Sequence, residues 1–190
     1  MKKIFISMIA FAMMLPIGCE KIKDVTSRDF TVNNINFDFT ATAQDDVTTS
    51  SSDLSVTTRA VETTSFAVTR TVDNSEFNNA DIIKYAGKIN KVVVNSSVIS
   101  VTSVPASDFT ITNLKVIAEG ILGSIEVPTY VIGGTYIVPA AMNAYTSAFI
   151  MKLLDGESIR VTVTGQSNAP AGTVLNINYK NDILCTASLL

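Results

Sequence analysis

Apolar and polar residues alternate along most of the chain after residue 28, and a spacing of two is typical of half-buried β-strands. Phe30 and Val32 begin an apolar face that Ile35 and Phe37 continue after a step of three. The extra residue predicts a β-bulge at 33–34, because a bulge restores the apolar face after the phase changes. The first strand is therefore expected to be long and interrupted once.

The same alternation predicts further strands separated by turns. A phase shift within 109–119 predicts a second bulge, and Pro105 would end the preceding strand because proline lacks the N–H that a ladder needs. The polar run 48–58 predicts an exposed loop or an edge segment, and residues 180–182 are predicted to form a turn. The predicted strands span residues 65–72, 91–104, 109–119, 124–127, 159–165, 174–179 and 183–187.

A pair of glycines gives the clearest local prediction. Two strand-like segments flank Gly133-Gly134, and this arrangement is typical of a β-hairpin with a primed turn. The predicted register places Val131 opposite Tyr136, and both faces of the ribbon carry large apolar groups. Only one face can enter the core, so the other needs a covering helix, a covering loop or a partner. The interaction surface predicted from this hairpin consists of Tyr130, Val131, Tyr136 and Ile137.

Two segments have helical rather than strand-like spacing. Asn79 can cap a short helix that Gly87 can end, and residues 140–154 form a second apolar stripe that stops at Gly156. Together with eight to ten strands, they predict a mainly β fold. The expected architecture is an antiparallel two-layer β-sandwich, immunoglobulin-like or related, in a single domain over 29–190.

The first nineteen residues follow a different pattern. Lys2 and Lys3 precede an uncharged run at 4–17, and Gly18 and Cys19 follow it. A basic start, an apolar run too short to span a bilayer and a small residue before the cleavage position are typical of a secretory signal peptide. We therefore expect residues 1–18 to be removed and residues 19–28 to form a tether.

The end of this segment resembles the processing site of bacterial lipoproteins, which usually reads Leu, a small residue, Gly or Ala, and then Cys. Gly18 and Cys19 match, whereas Leu15 stands one position early and Pro16 occupies the place of the leucine. The whole chain is similar to small envelope lipoproteins of Bacteroidota type that carry an uncharacterised β-sandwich domain. The resemblance implies an acylated Cys19 and attachment to the outer membrane, on its periplasmic or its surface face.

The composition of the chain excludes several kinds of catalytic and metal site. The chain has no histidine, which excludes Ser-His and Cys-His nucleophile pairs and histidine-based metal sites. Without Lys2 and Lys3 the chain would carry 12 basic and 17 acidic side chains, so we expect no nucleic-acid partner. With Cys19 acylated, Cys185 has no cysteine to pair with and is predicted to be a small buried hydrophobe. No metal and no other cofactor are expected.

Carboxylates cluster in two places. Residues 73–81 are dense in the oxygen ligands that calcium prefers, but their spacing fails the EF-hand pattern, and a polar loop with a helix cap is the preferred interpretation. Glu119 and Glu126 flank a glycine-containing turn and could face each other like the carboxylates of a glycosidase, although no aromatic cradle accompanies them.

These patterns predict a lipid-anchored, non-enzymatic binding or scaffolding module of the cell envelope, with a protein or glycan partner of unknown identity. One alternative is a pilus subunit of the fimbrillin type. Such subunits are lipoproteins cut after an arginine so that a partner strand can fill the gap, and Arg59 would be the cut here. The other alternative is a carboxylate-based envelope hydrolase.

Overall fold

A computed structural model describes residues 26–45 and 63–190 of the chain. Cys19, Arg59 and the polar run 48–58 lie outside the described residues. The strands are β1 Ser27–Thr42, β2 Gln44–Asp45, β3 Thr64–Val72, β4 Ile89–Val104, β5 Thr110–Ala118, β6 Ile125–Val131, β7 Thr135–Ile137, β8 Ile159–Ser167 and β9 Val174–Ser188. The helices are α1 Ala80–Lys84 and α2 Asn143–Leu154, and short 3-10 turns occur at Asn74–Glu76 and Ala140–Met142.

The strands form two antiparallel sheets. Sheet A has the order β1-β9-β4-β7, and sheet B has the order β2-β3-β8-β5-β6. The inward residues of both sheets share one buried apolar cluster with both helices. The prediction of a mainly β, two-layer antiparallel sandwich with two short helices is thus confirmed.

Sheet A is built on three long strands that bend at a common level. β1 shifts register between Val32 and Ile35, which confirms the predicted bulge. β4 shifts register between Val94 and Ser96, and both shifts lie beside Asp182 on β9. The predicted bulge in β5 is also confirmed, since its register against β8 shifts within that strand.

The predicted turn at residues 180–182 is wrong, because β9 runs through them without a break. The polar residue Asp182 instead accepts hydrogen bonds from the bulged parts of β1 and β4. One carboxylate oxygen of Asp182 accepts the backbone N–H of Asn34 at 2.8 Å, and the other accepts the Ser96 hydroxyl at 2.8 Å. Asn181, on the opposite face, is fully buried. A polar run inside a central strand therefore holds both of its neighbours in their bent geometry.

The inner face of sheet A is covered by sheet B in one half and by helical segments in the other. Phe37 lies at the junction, with ring centroids 5.1 Å from Phe149 of α2 and 6.4 Å from Phe77. Nearer the start of β1, Phe30 packs against Tyr85 just after α1, at 5.4 Å between ring centroids. The core is thus continuous from the sandwich into the helical layer.

Both predicted helices are present, with small changes at their ends. The Asn79 side chain accepts the N–H groups of Asp81 and Ile82 at 2.9 and 3.1 Å, as expected for a helix cap. α2 lies between the sheets, because its Tyr145 hydroxyl contacts the Ala118 N–H of sheet B and its Thr146 hydroxyl contacts β9. The first turn of the predicted 140–154 helix is a 3-10 turn.

The predicted hairpin around Gly133-Gly134 is wrong. β6 belongs to sheet B and pairs with β5, whereas β7 belongs to sheet A and pairs with β4. The chain crosses from one sheet to the other here, and the Gly133 N–H bonds to the Val101 carbonyl at 2.9 Å. β6 is the edge strand of sheet B, and β7 takes its three pairs from β4 at the edge of sheet A, so the two sheets compete for β7 rather than for β6.

Candidate functional site

The crossing between β6 and β7, residues 130–137, forms a corner at one edge of the sandwich. Tyr130 fixes this corner, because its hydroxyl donates to the Gly134 carbonyl and accepts the Val101 N–H at 3.1 Å. The Ile132 N–H completes the anchoring through the Phe109 carbonyl at 2.8 Å. The corner is therefore tied to both sheets.

The structure separates the four residues of the predicted interaction surface. Tyr130 is 7% exposed and belongs to the core, and Tyr136 is half-buried. Val131 is 57% exposed and pairs with Thr110 in sheet B, whereas Ile137 is 75% exposed and pairs in sheet A. The exposed members thus lie on different sheets. Contact with a partner at Val131 and Ile137 stays a prediction, and Tyr130 serves packing.

A groove of about 440 Å³ runs beside the corner. Its polar wall is ordered by Ser103, whose hydroxyl donates to the Pro105 carbonyl at 3.0 Å and accepts the Ser107 N–H at 3.2 Å. Pockets of this volume can take a small ligand or part of a peptide. The groove is lined by Thr102, Ser103, Ala106, Ser107, Asp108, Ile132 and Gly133.

The opposite end of the molecule receives the chain from Cys19. Thr26 is the first described residue, and its carbonyl accepts the Leu189 N–H at 2.8 Å. The Ser188 N–H bonds to the Lys88 carbonyl at 2.8 Å, so the start of β1, the end of β9 and the start of β4 lie side by side. The segment leading from Cys19 therefore joins the domain at this end.

A buried polar group that the sequence analysis missed lies between β9, β4 and α2. The Ser97 hydroxyl donates to the Asn181 side-chain oxygen at 2.6 Å, and the Tyr179 hydroxyl lies 2.7 Å from that of Thr146. Burial raises the pKa of Tyr179 to about 12, although the hydrogen bond with Thr146 opposes that rise. The Asn181 side-chain nitrogen is buried and has no hydrogen-bond partner. This group orders the helix against the sheet.

The spacing of β9 could have identified this buried group. Leu175, Ile177 and Tyr179 face inward, and Ile183 and Cys185 continue the same odd-numbered positions. The period is not broken across residues 180–182, which argues for one strand with a buried residue at 181. The three consecutive polar residues were the misleading signal, because such runs are typical of turns.

The oxygen-rich segment 73–81 uses its side chains locally. A side-chain hydrogen bond from Ser75 lowers the pKa of Asp73, and Asn79 caps α1. Glu76 pairs with Arg70, which also donates to the Asp38 carbonyl at 2.6 Å. These contacts match the interpretation of a polar loop with a helix cap. Within residues 26–45 and 63–190, three or more His, Cys, Asp or Glu side chains do not converge at any one point.

Glu119 and Glu126 have separate cationic partners. Glu126 lies 3.0 Å from the Lys115 ammonium, and hydrogen bonds from Lys115 and Ser124 lower the pKa of Glu126. Glu119 faces Arg160 at 4.0 Å. A general acid in a glycosidase needs a raised pKa, so the lowered pKa of Glu126 does not suit that role.

Cys185 is fully buried on the inner face of β9, which confirms the prediction of a small hydrophobe. Burial raises the pKa of its thiol to about 11. At neutral pH such a thiol is almost entirely protonated, so it is a poor nucleophile.

Comparison with family models, with curated proteins and with solved structures found no match. Among the described residues, the helices are too short or too polar to cross a membrane.

Proposed function

We propose that this chain is a lipid-anchored protein of the cell envelope, acylated at Cys19, whose β-sandwich acts as a non-enzymatic binding or scaffolding module. The observation that carries the proposal is the position of the fold behind the signal-like segment. β1 begins at Ser27, soon after Cys19, and its first residues already pair with β9. The apolar run 4–17 precedes this domain in the chain and fits a role in export.

The outer membrane is the proposed location. The proposed contact region is the groove beside the 130–137 corner, here called the corner groove, together with Val131 and Ile137. An edge with exposed apolar side chains beside a polar groove suits a protein segment or a glycan.

The chain offers a matched pair of cysteines for testing the anchor. Cells producing Cys19→Ala or Cys185→Ala would be labelled with a fatty-acid analogue and then fractionated. We expect Cys19→Ala to lose the label and to leave the membrane fraction. Cys185→Ala should keep both, because its thiol is buried in the fold. Equal labelling of the wild type and Cys19→Ala would contradict the proposal.

A specific observation favours the pilus alternative as a second candidate. β1 is an edge strand that pairs with β9 alone within sheet A, and Arg59 stands between β2 and β3 in the sequence. A cut after Arg59 would leave β1 held only by noncovalent contacts, so a strand from another copy could replace it beside β9. The side chains that such a strand would have to replace are Phe30, Val32, Ile35, Phe37, Phe39 and Ala41.

An arginine-specific protease tests this alternative on the wild type and on Arg59→Gln. Strand exchange predicts that the cut wild type forms a ladder of oligomers on a native gel, and that Arg59→Gln stays monomeric. A wild type that is cut after Arg59 and remains monomeric would exclude the exchange.

A further inference from the structure

The end of the sandwich that receives the tether is basic. This basic end consists of Arg28, Lys84, Lys88 and Lys91, together with residues 188–190. Arg28 donates to the Tyr85 hydroxyl at 3.0 Å, and the Lys84 ammonium lies 5.2 Å from the centre of the same ring. Tyr85 therefore holds two cations side by side without a carboxylate between them.

The cations of the basic end differ from most others in the described part of the chain. Arg70, Lys115, Lys152 and Arg160 each face a glutamate within 4.0 Å. Among residues 26–45 and 63–190, the four cations of the basic end take part in no ion pair.

The acidic groups at the basic end are few. Asp29 accepts the Thr186 hydroxyl at 2.6 Å, and Asp81 lies in the first turn of α1. The four cations therefore outnumber these two side-chain carboxylates, although the chain as a whole is acidic.

Apolar side chains are exposed at the same end. Ile83 of α1 is 67% exposed, and Leu190, after β9, is 88% exposed. Cations interspersed with exposed aliphatic residues suit a membrane surface, where phosphates meet the cations and apolar tips reach the acyl boundary.

The length of the tether limits how far the basic end can lie from the bilayer. Thr26 follows Cys19 by seven positions, and seven extended residues span at most about 25 Å. An acyl chain on Cys19 would hold the basic end within that distance of the bilayer. β4, with 16 residues, places the loop after Val104 about 50 Å from the basic end.

We infer that the basic end rests on the anionic phosphate headgroups of the membrane that holds the lipid anchor, so that the domain stands with the corner groove pointing away from the bilayer. This inference rests on the proposed function for its anchor. The docking surface itself rests on the unpaired cations and the exposed aliphatic residues.

The test uses the full acylated chain reconstituted into vesicles of phosphatidylethanolamine and phosphatidylglycerol. A fluorescent bimane is attached at Ala86→Cys in the basic end or at Ala106→Cys in the far loop, both exposed positions. The buried Cys185 does not compete for the label. A quencher on the lipid headgroup then reports proximity, and intact mass reports acylation of Cys19 separately.

We expect quenching at residue 86 to exceed that at residue 106 by about fivefold or more. This excess should fall severalfold in Lys84→Glu/Lys88→Glu and in phosphatidylcholine vesicles. Each cation near an anionic surface raises the binding constant for the membrane about fivefold. The control Lys115→Glu/Lys180→Glu changes the same charge elsewhere and should keep the excess. Equal quenching at both positions would overturn the inference. So would an excess at residue 86 that is the same in Lys84→Glu/Lys88→Glu and in phosphatidylcholine vesicles as in the wild type on anionic vesicles. A Cys19 without acyl groups in the intact mass would contradict the proposed anchor, whereas equal quenching in the acylated protein would contradict the docking alone.

Discussion

At the scale of single residues, the position of a side chain in the fold decided its role more than its type did. The sequence predicts Tyr130 on a contact surface, because both faces of the predicted ribbon carry large apolar groups and only one face can enter the core. In the structure it is a buried clamp that bonds the backbone of both β4 and the crossing. Tyr136, six positions later, forms no hydrogen bond through its hydroxyl among the described residues.

Tyr130→Phe is expected to lower the free energy of unfolding by about 1–3 kcal/mol, because the Val101 N–H would be buried without its acceptor. Urea denaturation followed by circular dichroism measures this loss. Tyr136→Phe removes the same atom from a half-buried ring and should change stability by less than about 0.5 kcal/mol. Equal effects of the two substitutions would show that the clamp contributes nothing beyond ring packing.

At the scale of elements, β9 organises sheet A. Its side chains alternate between the core and the outer face over its whole length, and its polar residues lie where β1 and β4 both bulge. Asp182 is the link between these bulges. Hydrogen bonds from the Asn34 N–H and the Ser96 hydroxyl lower the pKa of Asp182.

The lowered pKa of Asp182 predicts a dependence of stability on acid. A carboxyl with a depressed folded pKa stabilises the fold above its unfolded value, near 3.8, and this contribution is lost as the pH falls through the folded pKa. Asp182→Ala should therefore cost about 1–3 kcal/mol at neutral pH and flatten the loss of stability between about pH 5 and 2. Chemical denaturation across this range tests it. Asp108→Ala, which removes a carboxylate at an exposed position in the far loop, is the matched control.

The packing of β8 against β3 depends on a glycine. A Cβ on Gly165 would lie 2.5 Å from the Phe66 ring and 3.3 Å from the Leu114 Cα. Gly165→Ala should destabilise the protein by about 1–3 kcal/mol through overpacking. Phe66→Leu should recover part of this loss in the double variant, so a thermal melt of the three variants forms a double-mutant cycle. Additive losses would contradict a clash with this ring.

At the scale of the whole molecule, sheet A, α2 and the segment before α1 share one core. Phe37 is fully buried and contacts the rings of Phe149 in α2, Tyr179 in β9 and Phe77 in the segment before α1. A core connected in this way favours a single cooperative unfolding transition.

Phe37→Ala should lower the free energy of unfolding by about 3–5 kcal/mol, since it leaves a cavity where the layers meet. Phe109→Ala, at a partly buried position, should cost less. Near-ultraviolet and far-ultraviolet circular dichroism should give the same midpoint for each variant. Separate midpoints for the helical layer and the sheets would contradict a shared core.

The sequence by itself determined the fold class, most strands, two bulges and both helices. These features depend on local rules: a period of two for half-buried strands, a shift of one residue at a bulge, and an asparagine whose side chain caps the N–H groups that follow it. The burial of Cys185 followed from its apolar neighbours in the same way. The signal-like segment and its cysteine were equally visible in the sequence, and their role stays a prediction.

The tertiary structure alone decided which strands pair, and this changed the candidate site. Gly133-Gly134 permits a tight hairpin, but β7 pairs with β4 of sheet A, and the Tyr130 hydroxyl and the Gly133 N–H bond to the backbone of Val101 where the chain crosses between the sheets. In the same way, the polar residues 180–182 resemble a turn until the bulges of β1 and β4 supply partners for them. Pairing depends on contacts between residues distant in the sequence, and a local pattern holds no information about them. For the same reason, the collection of Arg28, Lys84, Lys88 and Lys91 at one end became visible only when β1, α1 and β4 were placed together.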